Sequence, residues 1–207
     1  MRFVYHLAEE ANWPFIQQEG LWPAQALLER PAVPRPLRAP GQYRGDNLVL
    51  PDGRMLRDQR PMPPAALAGC LDPSMAPCDW YALVNRKVFF WWNLERLNRH
   101  RAACGRRAQR VLAVDLQALL GRYAATASVA PINTGYALRK AARRGAWTFV
   151  PFAQWERDAW ASHAQHGARR PATHAPAEFT VDGCIPDIFC YVDDVKALQP
   201  FEPCALT

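Results

Sequence analysis

The chain has 207 residues, half of them apolar and 21% charged, which is enough to bury a real core as one domain over 1–207 and lies outside the composition of disordered chains. No run approaches the roughly 18 to 20 apolar residues of a membrane helix, and 1–10 carries charges where a signal peptide is apolar, so neither membrane insertion nor secretion is expected. A net charge of +6, almost all arginine, favours polyanions such as nucleic acid, although GC-rich coding produces the same bias; six cysteines without a CxxC pair suggest a reducing cytoplasm and no metal site.

Along the chain, Phe3-Val4-Tyr5-His6 reads as a strand, followed by a helix over 9–19 that Gly20 stops. Pro31, Pro34, Pro36 and Pro40 exclude regular helix from 31–40. Pro51-Asp52-Gly53 between two short apolar runs predicts a hairpin turn. Two short helices follow at 63–70 and 77–85, each with proline in its first turn, where the missing N–H costs nothing.

Lys87 to Trp92 is aromatic and β-prone enough to be a buried strand, and Asn93 is placed to cap a helix over 94–104. Arg110 to Val114 predicts a strand, with Asp115 capping a helix through Leu120. Further strands are expected at 147–150, 179–181 and 188–192. Strands and helices mix without strict alternation, so the expected class is α+β.

Four groups of residues could carry chemistry. His6 ends the first strand, where a lone histidine is ordinarily a satisfied structural group. Arg54, Arg57, Asp58 and Arg60 crowd the region after the hairpin; such arginines are usually solvated, yet a pair two or three residues apart can clamp a diphosphate through planar contacts. In the aromatic strand one face is core, and the other holds either Phe89 and Trp91 or Phe90 and Trp92, flat surfaces on which a heterocycle could stack. Glu178 lies in the apolar run Ala177-Glu178-Phe179-Thr180-Val181, where it either faces solvent or lines a site.

In this order the pieces resemble the ADP-ribosyltransferase fold, most closely the DarT-like branch of DNA-modifying toxins. The residues that carry the resemblance are Tyr5-His6-Leu7, Glu19-Gly20-Leu21, Leu56 to Pro61, Val88 to Trp91, Asn133-Thr134-Gly135 and Pro176 to Val181. It implies split mixed or antiparallel sheets with flanking helices, NAD as co-substrate, and transfer of ADP-ribose to a nucleic-acid base, DNA first, or to another acceptor. It implies His6 on a ribose hydroxyl, the backbone of Leu7 on the nicotinamide amide, and Glu178 as the catalytic carboxylate. Arg60 is the family's arginine, with Arg57 the competing match, and Phe90, Trp92 and Asn133 complete the NAD contacts. A toxin of this branch would have a cognate antitoxin or hydrolase as partner.

The chemistry explains the parts. Cleaving the nicotinamide–ribose bond builds positive charge on the sugar, which a fixed carboxylate stabilises more in the transition state than in the ground state. Arg143-Arg144-Gly145 has no clear counterpart in the toxin branch, and 147–178 is short for a large recognition loop. Two other readings compete: an RNA 2′-phosphotransferase of the same fold, which does not need the glutamate, and a non-enzymatic basic domain that stacks single-stranded nucleic acid on Phe90 and Trp92.

Overall fold

A computed structural model describes residues 2–104, 106–139 and 141–205. The first strand, β1 (Phe3–Glu9), runs three residues beyond the expected strand, and the helix that follows, α1 (Trp13–Glu19), is correspondingly shorter and preceded by a single 3-10 turn. After α2 (Ala24–Leu28) and the proline-rich stretch, β2 (Leu48–Val49) and β3 (Met55–Leu56) pair as the expected hairpin. Gly53 sits at φ 92° in its turn, a conformation that costs glycine little.

The short helices α3 (Pro64–Ala68) and α4 (Pro77–Asn85) lead into β4 (Lys87–Trp91). Asn93 caps α5 (Leu94–Cys104) by accepting the Arg96 N–H at 3.0 Å. Asp115 does the same between β5 (Gln109–Asp115) and α6 (Leu116–Tyr123), accepting from the Ala118 N–H at 3.0 Å. Both caps satisfy a helix N–H that has no partner within the helix.

The second half departs further from expectation. A strand that the sequence hides, β6 (Ala127–Ala130), is buried throughout, although its alanines and serine have little β-propensity. Around 147–150 only β7 (Val150–Pro151) is strand, and α7 (Phe152–Asp158) follows it. After β8 (Glu178–Asp182), the stretch expected to be the last strand holds a 3-10 turn at Ile188–Cys190. The last strand is β9 (Val192–Leu198), whose charges Asp193, Asp194 and Lys196 suit a sheet edge, where they discourage pairing with another chain.

Apart from the β2–β3 hairpin, the described strands form one seven-stranded antiparallel sheet in the order β7-β6-β8-β4-β1-β5-β9, so the chain is α+β. Its two halves barely join. β1 pairs with β5 along seven residues, whereas among the described residues its ladder with β4 is the single pair Tyr5–Trp91. One face of the sheet carries the largest core, with Val4, Phe90, Leu112, Val129 and Phe179 packed against α1, α6 and α7. The other face carries two separate patches. Leu97 of α5 packs with Val111 beside Tyr5 and Trp91, and Trp80, Tyr81 and Val84 of α4 pack with Ala130 beside Phe89.

Candidate functional site

Beyond Tyr5, β1 leaves β4, and the His6 ring fills the opening. Its Nδ1 lies 2.8 Å from the Phe89 carbonyl oxygen. A carbonyl only accepts, so Nδ1 carries the hydrogen, and burial holds the imidazole pKa below its ordinary value. The neutral ring therefore keeps a lone pair on Nε2, ready to accept a hydroxyl hydrogen.

His6 and Leu7 line a cleft closed by α1, by Gly20 to Trp22, and by Arg54 to Arg57 from the hairpin strand and the residue after it. Arg57 is positioned from two sides. Its Nε is 3.2 Å from the buried carboxylate of Glu9, and its Nη1 donates to His100 Nε2 at 3.0 Å. Burial and the Arg57 charge hold the His100 pKa at about 4, so its imidazole is neutral and can accept. Glu9 also receives Arg107 at 3.0 and 3.1 Å and the Gln109 amide at 3.1 Å, which keeps its charge compensated inside the fold. Arg54 is buried beside Arg57, with Nη2 donating to Glu19 at 2.5 Å.

Glu178 opens β8 in a row of cross-strand neighbours: Tyr5 opposite Trp91, Trp91 opposite Glu178, and Glu178 opposite Ala130. Two strand spacings, roughly 10 Å, separate it from Tyr5. The row places it between the two core patches of that face, and it is only 5% exposed. Thr134 donates its hydroxyl to Oε2 at 2.7 Å and its backbone N–H toward both oxygens at 3.2 Å. Burial pushes the Glu178 pKa up to about 7, against the opposing pull of the Thr134 hydrogen bonds and of Arg144 and Arg96. A carboxyl balanced near neutrality can hold or release a proton at working pH, a property typical of functional sites.

The structure brings His6, Leu7 and Arg57 to one cleft, leaves Glu178 outside its lining and two strands from Tyr5, and corrects three other expectations. Arg60 is exposed and does not line the cleft: Asp58 accepts its backbone N–H at 3.0 Å in a turn, and the side chain pairs with Asp46 and donates to the Gly45 carbonyl at 2.7 Å. Phe90 and Trp92 offer no stacking surface, because alternation along the strand sends both into the core, Phe90 against Phe179 and Trp92 against Trp155. Asn133 shapes a turn, its Oδ1 accepting the Gly135 N–H at 3.0 Å, while its neighbour Thr134 makes the contact to Glu178.

Sequence reasoning missed Glu9, His100, Thr134 and Arg144. Arg144 is buried, with its guanidinium 5.5 Å above the Trp80 ring, and it donates to the carbonyls of Thr134 at 3.1 Å and Tyr136 at 2.8 Å. The one available signal was the Asn-Thr-Gly turn, which points to a tight loop but not to what the loop covers. Among the described residues, no group of three or more His, Cys, Asp or Glu side chains is placed to hold a metal ion, and no helix is long and apolar enough to cross a membrane.

Residues 2–192 match a family described as a family of unknown function, DUF7002. No curated protein and no solved structure matches the chain.

Proposed function

The chain belongs to the DUF7002 family, and we propose that it is an NAD-dependent ADP-ribosyltransferase with Glu178 as its catalytic carboxylate. The observation that carries this reading is the seat of Glu178: a buried carboxyl with a pKa of about 7, in register with Trp91 and Tyr5 where the two halves of the sheet part. A 2′-phosphotransferase of the same fold has no use for that carboxylate.

In this reading His6 Nε2 accepts a ribose hydroxyl, the Leu7 backbone faces the nicotinamide amide, and Arg57 replaces Arg60 as the diphosphate contact. Glu178, ionised, stabilises the positive charge that develops on the ribose and orients the acceptor. The acceptor is a nucleic-acid base, DNA first. In support, residues 116–177 contain only Glu156 and Asp158 as acids against Arg122, Arg139, Lys140, Arg143, Arg144, Arg157, Arg169 and Arg170. Of these, Arg139, Arg143 and Arg169 are exposed, as is the ring of Tyr136. Basic groups interleaved with an aromatic ring suit a polyanion with stacking bases. The protein then works in the cytoplasm, and a toxin role requires a neutralising antitoxin or hydrolase.

The test is incubation with labelled NAD in the presence of DNA, RNA or protein, for the unaltered chain and Glu178→Gln. Label on nucleic acid together with released nicotinamide, both lost in the variant, is the expected result. Absence of nicotinamide release from the unaltered chain with every acceptor would overturn the reading.

A further inference from the structure

Both oxygens of the Glu178 carboxylate are met by Thr134 of the 131–139 segment. The Thr134 N–H points at both oxygens and the Thr134 hydroxyl closes on Oε2. A hydroxyl donating at 2.7 Å to a carboxylate is the arrangement that a nucleophile adopts just before a general base removes its proton. The carboxyl is buried under this contact, so in this conformation no acceptor reaches it.

We propose that residues 131–139 are a lid that holds the acceptor's seat. The Thr134 hydroxyl stands where the attacking O–H or N–H of the acceptor comes to Glu178, and Arg144 latches the lid shut. The inference rests on Glu178 being the catalytic carboxylate.

The segment has the build of a lid. It contains no helix or strand; Tyr136, Leu138 and Arg139 are exposed, whereas Pro131, Thr134 and Ala137 are buried beneath them. It is held at discrete points: Arg144 on the carbonyls of Thr134 and Tyr136, the Ala137 N–H on the Pro61 carbonyl at 2.8 Å, His174 Nε2 at 3.1 Å from the Pro131 carbonyl, and the Ala137 methyl packed in the core with Trp80 and Tyr81. Arg144 itself is held in a buried seat against Trp80, so the latch stays in place whichever position the lid takes. Other charge near the carboxylate comes from Arg96 of α5; Trp91 of β4 and Ala130 of β6, its cross-strand neighbours, bring none. When the lid opens, Glu178 loses its Thr134 donors and gains water or the acceptor, so the carboxylate becomes available as the substrate arrives. Closure in the absence of an acceptor shields the site from water, which would otherwise consume NAD by hydrolysis.

The experiment compares the full chain with Thr134→Val, which removes the hydroxyl and keeps the volume and the backbone N–H, and with Arg144→Lys, which keeps the charge and loses the two-pronged contact. Amide hydrogen exchange at 133–138 and nicotinamide release without an acceptor are measured on each. Exchange in that segment is expected to quicken about tenfold or more in Arg144→Lys and severalfold in Thr134→Val, with β8 unchanged and acceptor-free nicotinamide release raised severalfold. Should Arg144→Lys fold poorly, Thr134→Val carries the test alone. Exchange at 133–138 as slow as in β8, and unmoved by the substitutions, overturns the lid even if the unaltered chain consumes NAD. Faster exchange with no nicotinamide release from any form supports the lid and overturns the transferase reading.

Discussion

Thr134 gives both its backbone N–H and its hydroxyl to the carboxylate of Glu178, the hydroxyl at 2.7 Å. Those bonds favour the ionised form and desolvation opposes it, and the outcome is a pKa of about 7 against an ordinary 4.5. Desolvation wins because two donors from one residue replace the several waters that solvate a free carboxylate.

A stability consequence follows from that balance. The folded state holds the Glu178 proton more tightly than the unfolded state, so between pH 4.5 and 7 the native chain binds more protons and stability falls as pH rises. At 1.36 kcal/mol per unit the total is about 3 kcal/mol, fully expressed above pH 7. Urea midpoints at pH 5 and pH 8 should differ in this sense for the unaltered chain and converge for Glu178→Gln. Equal pH dependence in the two proteins would place the titration elsewhere.

For catalysis, Glu178→Gln preserves shape and removes the negative charge. Nicotinamide release should drop by roughly 10²- to 10³-fold while NAD affinity by calorimetry is retained. Loss of both together would make Glu178 a structural residue.

The two arginines that compete for the diphosphate are now distinguishable. Arg57→Ala should weaken NAD binding at least tenfold, because its guanidinium lines the cleft and is oriented by Glu9 and His100. Arg60→Ala should leave affinity within about twofold and stability essentially unchanged, as expected of an exposed ion pair. Calorimetric titration of both variants decides, and the reverse order would restore Arg60.

His6→Ala removes the proposed ribose partner and the donor to the Phe89 carbonyl. NAD affinity should fall, and stability should fall by about 1 to 2 kcal/mol as that half-buried oxygen loses its partner. Unchanged NAD affinity would reduce His6 to a wedge between the half-sheets.

Arg101 predicts a purely structural effect. It is buried and holds the carbonyls of Gln199 and Glu202 and the side chain of Gln109. Arg101→Ala should destabilise the chain by about 3 kcal/mol and expose 199–205 to protease before the rest of the molecule. Simultaneous cleavage throughout would show that the carboxyl-terminal segment is not held separately.

The amino-acid sequence by itself determined the features that depend on neighbours along the chain. The α+β class, the Pro51-Asp52-Gly53 hairpin, the Asn93 and Asp115 caps and the aromatic strand all follow from local rules of conformation and alternation. Tertiary structure decided what depends on partners distant in sequence. Ala127–Ala130 is a strand because β8 pairs with it, not because its residues prefer extension, and Val192–Leu198 is a strand because β5 supplies the ladder. The candidate site divides in the same way. An acidic residue in an apolar run marked Glu178, but its raised proton affinity comes from burial under distant elements, opposed by the hydrogen bonds of Thr134, 44 residues away along the chain, and by the charge of Arg144. Whether Phe90 or Phe89 faced the core, and whether Arg57 or Arg60 reached the cleft, turned on which side of a strand or turn each residue occupied. Adjacent residues of similar chemistry carry no signal of that side until the opposing elements are in place.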